Sequence, residues 1–593
     1  MVRDVARWIG VWVVAIALAG LAGQAPATAQ SANRPDGLVP TTPSAAYLMG
    51  RIASFHSDYD SAADFLVAAL DNDPDRAALI DATFDVLVRA GRLDEALPLA
   101  QRILLRRPNN QLAQTVVLIN RIDEGDLEGA LAAMDTIEFD GIEVFVMPLV
   151  RAWLEASTAD METANQTLDG YAEDTGLDSI AAFHRALILD AAGDGEAALT
   201  AYQEAEDLSR SGRLVIALGS LYERLGRTEE AEQLYADYQA DNPSTVLSEY
   251  ELDRIARGET ALPMVDTPQA GIAEALYQTA LALTIEGAPQ YALIYAQLSQ
   301  FLRPGFAPGN LLLGDIFSAL DQDGLALAYY QDVPDDSLAW WQAQLKAARV
   351  LQSMGRSADA VAALTDLAAA RLDRGDAMIA IGDVMREEQR YPDAVRAYDE
   401  AFERAPDAVA DDWSFFYRRG IALERAQVWD RAENDLQHAL ELNPDHAHLL
   451  NYLGYSWIDR GENVEEAERL IRRAVELLPD DGYIVDSLGW VYFRTGRLDD
   501  AVQWLERAVE LLPDDAVIND HLGDAYWVVG RRAEARFQWR RALNAADTSD
   551  EPGLAERVED KLQDGLHNPP FLDGVVIETN AANEANVPTT DTH

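Results

Sequence analysis

An all-α solenoid of about fourteen helix-turn-helix units, in two arms, is the fold the sequence predicts, and three regularities predict it. An alanine recurs at Ala62, Ala96, Ala130, Ala164, Ala198, Ala231, Ala292, Ala326, Ala360, Ala394, Ala432, Ala467, Ala501 and Ala535, most often at intervals of 34 residues. A proline stands twelve residues after this alanine at Pro74, Pro108, Pro243, Pro304, Pro406, Pro444, Pro479 and Pro513. A glycine stands twelve or thirteen residues before it at Gly50, Gly219, Gly314, Gly382, Gly420, Gly454, Gly489 and Gly523. A fixed period of this length marks a stacked array of identical supersecondary units.

The stretch LGWVYFRTGRLDDAVQWLERAVELLPDD, Leu488 to Asp515, displays one unit most plainly. It reads as a helix, a tight turn at Gly496-Arg497 and a second helix that ends at Pro513. Gly489, Ala501 and Ala508 let the two helices approach, while Leu488, Tyr492 and Leu505 fill the space around the contact. Proline starts the exit because it cannot continue the backbone hydrogen-bond ladder. No single pair buries its apolar stripe, so each unit leans on its neighbours. Ala501→Leu overpacks such a contact and is expected to destabilise the array by about 1–3 kcal/mol. An unchanged urea midpoint for this variant would mean that the helices do not meet there.

The spacing of Leu488-Gly489, Tyr492, Ala501, Leu505, Ala508 and Pro513 resembles the tetratricopeptide repeat, from roughly Ser44 to Ala545. That resemblance implies a right-handed superhelical solenoid. A first arm is expected over 44–243, with a degenerate middle where Ile137 to Val150 lacks the usual glycine and carries Pro148. An irregular helix and a hinge loop, GETALPMVDTPQAG at its end, are expected over 244–271, and a second arm over 272–545. A capping helix follows over 546–566, with Glu556, Arg557, Glu559, Asp560 and Lys561 expected to face solvent. The polar, proline-bearing tail over 567–593 is expected to be disordered.

The N-terminus predicts export. Arg3 and Arg7 precede an apolar run from Trp8 to Gly23, and Ala27-Thr28-Ala29 forms a small-residue cleavage site. This is the pattern of a signal peptide over 1–29, cleaved before Gln30, with a short tether over 30–43 and a periplasmic or secreted product. An uncleaved anchor is the alternative, although the run is short against the roughly 20 apolar residues of a spanning helix. The chain has no cysteine, which excludes a disulfide framework, a thiolate metal site and a bacterial lipoprotein anchor.

Charge narrows the partners. The formal net charge is −54, and Lys346 and Lys561 are the two lysines of the chain. Nucleic acid demands a basic surface, so it is excluded as a partner, and adsorption to anionic lipid is disfavoured. The same charge keeps a long solenoid soluble, and it also suits an acidic groove that attracts basic segments. Catalysis is not expected. The sequence holds no G-x-x-x-x-G-K-[ST] loop, no H-E-x-x-H and no G-x-S-x-G elbow. DHAH (Asp445 to His448) and DNDPD (Asp71 to Asp75) sit at helix junctions and read as turn chemistry, so no metal, cofactor or small-molecule substrate is expected.

The surface therefore carries the function. In tetratricopeptide arrays the concave groove is lined by the second, fifth, ninth, twelfth and thirteenth positions of each first helix. The resemblance places Tyr483, Asp486, Trp490, Phe493 and Arg494 there, with Asn451, Tyr455 and Ile458 from the preceding unit and Asp520, Asp524 and Trp527 from the next. Asn451, Tyr455, Tyr483, Asp486, Trp490, Phe493, Asp520, Asp524 and Trp527 form the candidate protein-binding groove, aromatics anchoring and carboxylates orienting a guest with basic or amide groups. The alternative is that the aromatics pack between adjacent first helices, Tyr455 with Trp490 and Phe493 with Trp527. Arg494 alone does not make a clamp for a C-terminal carboxylate.

Residues Leu449 to Ala542, with NYLGYSWIDRG, DSLGWVYFRTGR and DHLGDAYWVVGRRAEA, and AGIAEALYQTALAL at Ala270 to Leu283, are similar to the large tetratricopeptide outer-membrane lipoproteins of Gram-negative bacteria. The resemblance implies an adaptor that brings cell-wall hydrolases to a periplasmic carboxyl-terminal processing protease. The absence of a lipidation cysteine departs from that pattern and sets membrane association in doubt. An assembly or secretion scaffold for envelope polysaccharide or pilus export is the other reading.

Overall fold

The computed structural model describes residues 42–158, 160–242, 247–548, 551 and 553–572. The signal peptide, nearly all of the tether and the tail beyond Leu572 lie outside them. Among the described residues every regular element is helical. Fourteen antiparallel helix pairs run from Pro43–Phe55 with Tyr59–Asn72 to Ala516–Val528 with Arg532–Ala545, and each recurring alanine falls in the second helix of its pair. Three helices stand outside the pairs: Leu247–Ala256, Pro406–Val409 and Leu554–Asp564. The short Pro406–Val409 turn accounts for the longer interval between Ala394 and Ala432.

Local chemistry builds each pair as the sequence implies. Gly496 turns the chain between Gly482–Arg494 and Leu498–Leu511 at φ 79°, a conformation that favours glycine. A Cβ on Gly489 would stand 2.7 Å from Leu505 Cγ, so this close approach also needs glycine. Ala501, Leu505 and Ala508 have no exposed surface. Side chains at the junctions cap the next helix: Asp481 accepts from the N–H groups of Tyr483 and Ile484, and Asp515 from that of Ile518. The DHAH segment is one of these junctions. His446 Nδ1 accepts from the Leu449 N–H at 3.2 Å, and Asp445 pairs with Arg473 at 2.9 Å.

The chain divides into two compact units, Met1–Arg371 and Leu372–His593. The arm boundary expected at 244–271 thus falls inside the first unit. Residues there are tied down to helix Gly212–Arg224: Glu223 accepts from the Ala261 N–H at 3.1 Å and pairs with Arg254, and Ser220 Oγ donates to the Leu262 carbonyl at 2.8 Å. Ala261 and Val265 are buried.

The first unit holds a second departure from a plain array. Helix Pro268–Ile285 packs against the first helices Glu143–Thr158 and Asp178–Ala191, while Pro289–Leu302 packs against Ala77–Arg89 and Gln111–Asp123. Gly271 abuts the Trp153 ring so closely that any Cβ would collide. Gln297 Nε2 donates to the Arg89 carbonyl and Gln269 Nε2 to that of Ile122, both at 3.3 Å. These four first helices thus turn their surface to the chain itself. Eight successive residues, Ala270 to Tyr277, are buried, as in a helix enclosed on every side.

Candidate functional site

In the second unit three first helices lie in sequence, Ala447–Arg460, Gly482–Arg494 and Ala516–Val528, each touching the next. Helical periodicity aims the candidate residues to one side. Trp490 is 7 % exposed and stacks on His521 at 3.9 Å and on Phe493 at 5.1 Å. The ring contacts differ from the expected pairs. Trp490 meets His521 across the units, and Trp527 lies tilted against Trp539 of its own pair at 5.0 Å. His521 Nδ1 lies 2.9 Å from Asp486 Oδ2. Burial disfavours the charged imidazole, but the Asp486 carboxylate outweighs it and raises the His521 pKa.

Next to this stack, Lys561 Nζ donates to both oxygens of Asp520 at 2.8 Å and to Asp524 Oδ2 at 2.9 Å. The expected solvent-facing lysine is instead half-buried against the array, because the negative charge of the Asp520–Asp524 pair on one helical turn needs a counter-charge where water is largely excluded. Trp539 Nε1 donates to the other Asp524 oxygen at 3.0 Å. Burial, followed by the charge of Asp520, pushes the Asp524 carboxyl up to about 7.

This shift predicts an inverted pH response. Between its ordinary 3.8 and about 7, Asp524 holds its proton in the folded chain and loses it in the unfolded one. Its contribution is full below 3.8 and is lost as pH rises through about 7, and His521, also raised, acts in the same direction above 6.5. The urea midpoint of the second unit is expected to fall from pH 5.5 to pH 8, and Asp524→Asn to flatten that slope. A midpoint that climbs over this range in the parent chain would show that Asp524 ionises normally.

The chain itself occupies part of the groove. Helix Leu554–Asp564 ends at Gly565, whose φ of 83° directs the following residues onto the first helices. Trp527 Nε1 donates to the Leu566 carbonyl at 3.1 Å. The Phe571 ring lies 5.2 Å from that of Phe493, and the Leu572 N–H donates to the Arg494 carbonyl at 2.9 Å. The segment expected to begin a disordered tail at 567 is instead placed against the array as far as Leu572, since Phe571 and Leu572 bring apolar surface that the groove covers.

The candidate residues do not all converge. Asp486, Trp490 and Phe493 meet His521 and Phe571, and Asp520, Asp524 and Trp527 meet Lys561 and Leu566. Tyr455 and Asn451 are half-buried, and Tyr483 is 59 % exposed at the edge. Sequence reasoning missed His521, Lys561 and Phe571. Two of them carried a signal: Lys561 is one of two lysines, and Phe571 begins an aromatic-aliphatic pair directly after two prolines.

A family profile described as tetratricopeptide repeat matches residues 183–245, 345–409, 417–482 and 462–516. Similar solved structures include MamA, 23 % identical over 28 % of this chain and 95 % of that one, with a TM-score of 0.24. YrrB, described as a tetratricopeptide protein with an unusual peptide-binding site, is 19 % identical over 34 % of this chain and 99 % of its own, with a TM-score of 0.26. A chain of the APC/C hetero-tetramer Cut9–Hcn1 is 14 % identical over 89 % of this chain and 97 % of its own, with a TM-score of 0.37. No curated protein matches the sequence significantly.

Proposed function

We propose that this tetratricopeptide-repeat protein is a non-catalytic interaction scaffold of the cell envelope, and that the groove of its second unit holds non-helical segments of partner proteins. One observation carries the reading: the groove already holds a non-helical segment, 565–572, by a ring contact, a main-chain hydrogen bond and an indole-to-carbonyl hydrogen bond. Those are the contacts by which a groove holds a peptide of any origin, since only the ring contact depends on a side chain of the guest.

The finer assignment is an adaptor that presents cell-wall hydrolases to a periplasmic processing protease. It rests on the similarity of Leu449 to Ala542 to such adaptors, and the envelope location rests on the export pattern before Gln30. No helix among the described residues is long and apolar enough to cross a membrane. Affinity capture with crosslinking from periplasmic extract tests both. Enrichment of a processing protease with its hydrolases supports the adaptor. Enrichment of export or pilus components replaces it with the assembly scaffold, and recovery of no protein above a control array removes the scaffold reading altogether.

A further inference from the structure

The segment after Gly565 is attached at two places with exposed chain between them. His567, Asn568 and Pro570 are exposed, whereas Leu566 at one end and Phe571-Leu572 at the other are half-buried against the groove. At the far end, Leu572 also reaches Gly461 of the preceding unit, where a Cβ would stand 3.4 Å from Leu572 Cδ2. The anchoring chemistry is therefore an aromatic ring on Phe493, an aliphatic side chain at Gly461, and one main-chain N–H on the Arg494 carbonyl. Two prolines precede the ring and fix the backbone leading to it, and the Phe571 N–H donates to the Pro569 carbonyl at 2.8 Å, so the chain turns at Pro570 into the groove. A backbone set in this way loses less entropy on binding.

The fit is incomplete. Trp490 Nε1 and Arg494 Nε, one helical turn apart in the groove, are buried and make no hydrogen bond with the described residues. An unpaired buried donor is costly, so a guest with the same anchors and a neutral acceptor for these groups is a better occupant. A carboxamide suits them better than a carboxylate, because Asp486 and Asp459 border the site.

We infer that residues 566–572 are a tethered, exchangeable occupant of this groove, and that the partner segments competing with it share its pattern, an aromatic residue followed by an aliphatic one directly after a proline turn. The inference rests on the reading of the groove as a protein-interaction site. Tethering sets the strength of the competition. An attached segment acts at an effective concentration on the order of 1 mM. If the free segment binds with a Kd on the order of 0.1 mM, the groove is occupied in cis about ten to one, and the partner's apparent affinity falls about tenfold.

The test uses a fluorescent synthetic peptide spanning Leu566 to Leu572, titrated into the full chain, the full chain with Phe571→Ala, and a chain ending at Gly565. The expected result is about tenfold tighter binding to the Phe571→Ala chain and to the shortened chain than to the parent. A peptide with its own Phe571→Ala change is expected to lose binding to all three. Equal binding to parent and variants overturns the inference, because the groove is then not blocked in cis. Absence of binding to a Phe571→Ala chain that melts as the parent does overturns it as well, leaving the segment a structural strap. Capture from envelope extract separates the two readings. If partners are recovered while the peptide does not bind, the inference falls and the scaffold stands. If the peptide binds while capture yields nothing, the exchangeable occupancy of the groove stands and the scaffold reading falls.

Discussion

Trp490→Ala is expected to destabilise the second unit by about 3–5 kcal/mol, the range for removing a buried indole. The ring is 7 % exposed and sandwiched between Phe493 and His521. Its loss empties a space that neighbouring helices cannot close, and it strips the apolar cover from the Asp486–His521 pair. Tyr483→Ala, at a ring 59 % exposed on the same helix, is the control and is expected to stay within about 0.5 kcal/mol of the parent. Urea denaturation of the full chain, followed by circular dichroism, compares the two. Equal midpoints would remove Trp490 from the core. The comparison also governs how capture is interpreted. The pair Trp490→Ala with Trp527→Ala is expected to lose partners through lost structure, so loss of capture by that pair does not identify a contact surface. Phe571→Ala alters the groove without emptying the core and is the informative change.

Glu274→Ala is expected to cost about 3 kcal/mol in the first unit, because it leaves a half-buried guanidinium, 23 % exposed, without its counter-charge. Glu274 has no exposed side-chain surface, and its carboxylate receives Arg213 Nε at 3.0 Å and Gln278 Nε2 at 3.3 Å. Arg213 also lies over the rings of Tyr277 and Phe306, at 5.6 and 5.5 Å. Burial alone would raise the Glu274 pKa, but Arg213 outweighs it and the net direction is down. Its contribution is therefore present above the ordinary 4.5 and lost as pH falls through the lowered value. The pair joins helix Pro268–Ile285 to helix Gly212–Arg224 and adds to the packing that holds this helix against Glu143–Thr158 and Asp178–Ala191. Replacing both partners, Arg213→Met with Glu274→Leu, is expected to recover most of the loss, because nothing charged is then left buried. Thermal melts decide this. A Glu274→Ala chain within about 1 kcal/mol of the parent would show that water reaches Arg213.

The repeat was legible because its determinants are local. Alanine at Ala501, glycine at Gly489 and proline at Pro513 act within one pair of helices; the alanine recurs in all fourteen pairs and the glycine and the proline in eight each. Caps such as Asp481 and Asp515 are read three residues ahead. Groove membership was half legible. Helical phase placed Asp486, Trp490 and Phe493 on one side, but phase does not say what covers that side. Lys561 illustrates the limit. Its capping helix reads as charged and solvated, yet it reaches carboxylates 37 and 41 residues away that no local pattern links to it.

By itself, then, the sequence determined the unit, the number of units and the packing within each, since all three follow from side-chain size and backbone conformation over some thirty residues. Tertiary structure decided which concave surfaces stay available. In the first unit, Gln297 meets the Arg89 carbonyl across 208 positions and Gln269 meets that of Ile122 across 147, and the helices that carry them cover the first helices of earlier pairs. In the second, Gly565 turns the last helix so that Phe571 reaches Phe493. The reason is geometric: side-chain size and helical phase act within one pair and its neighbours, whereas these contacts depend on where a distant helix or the chain after Gly565 comes to lie.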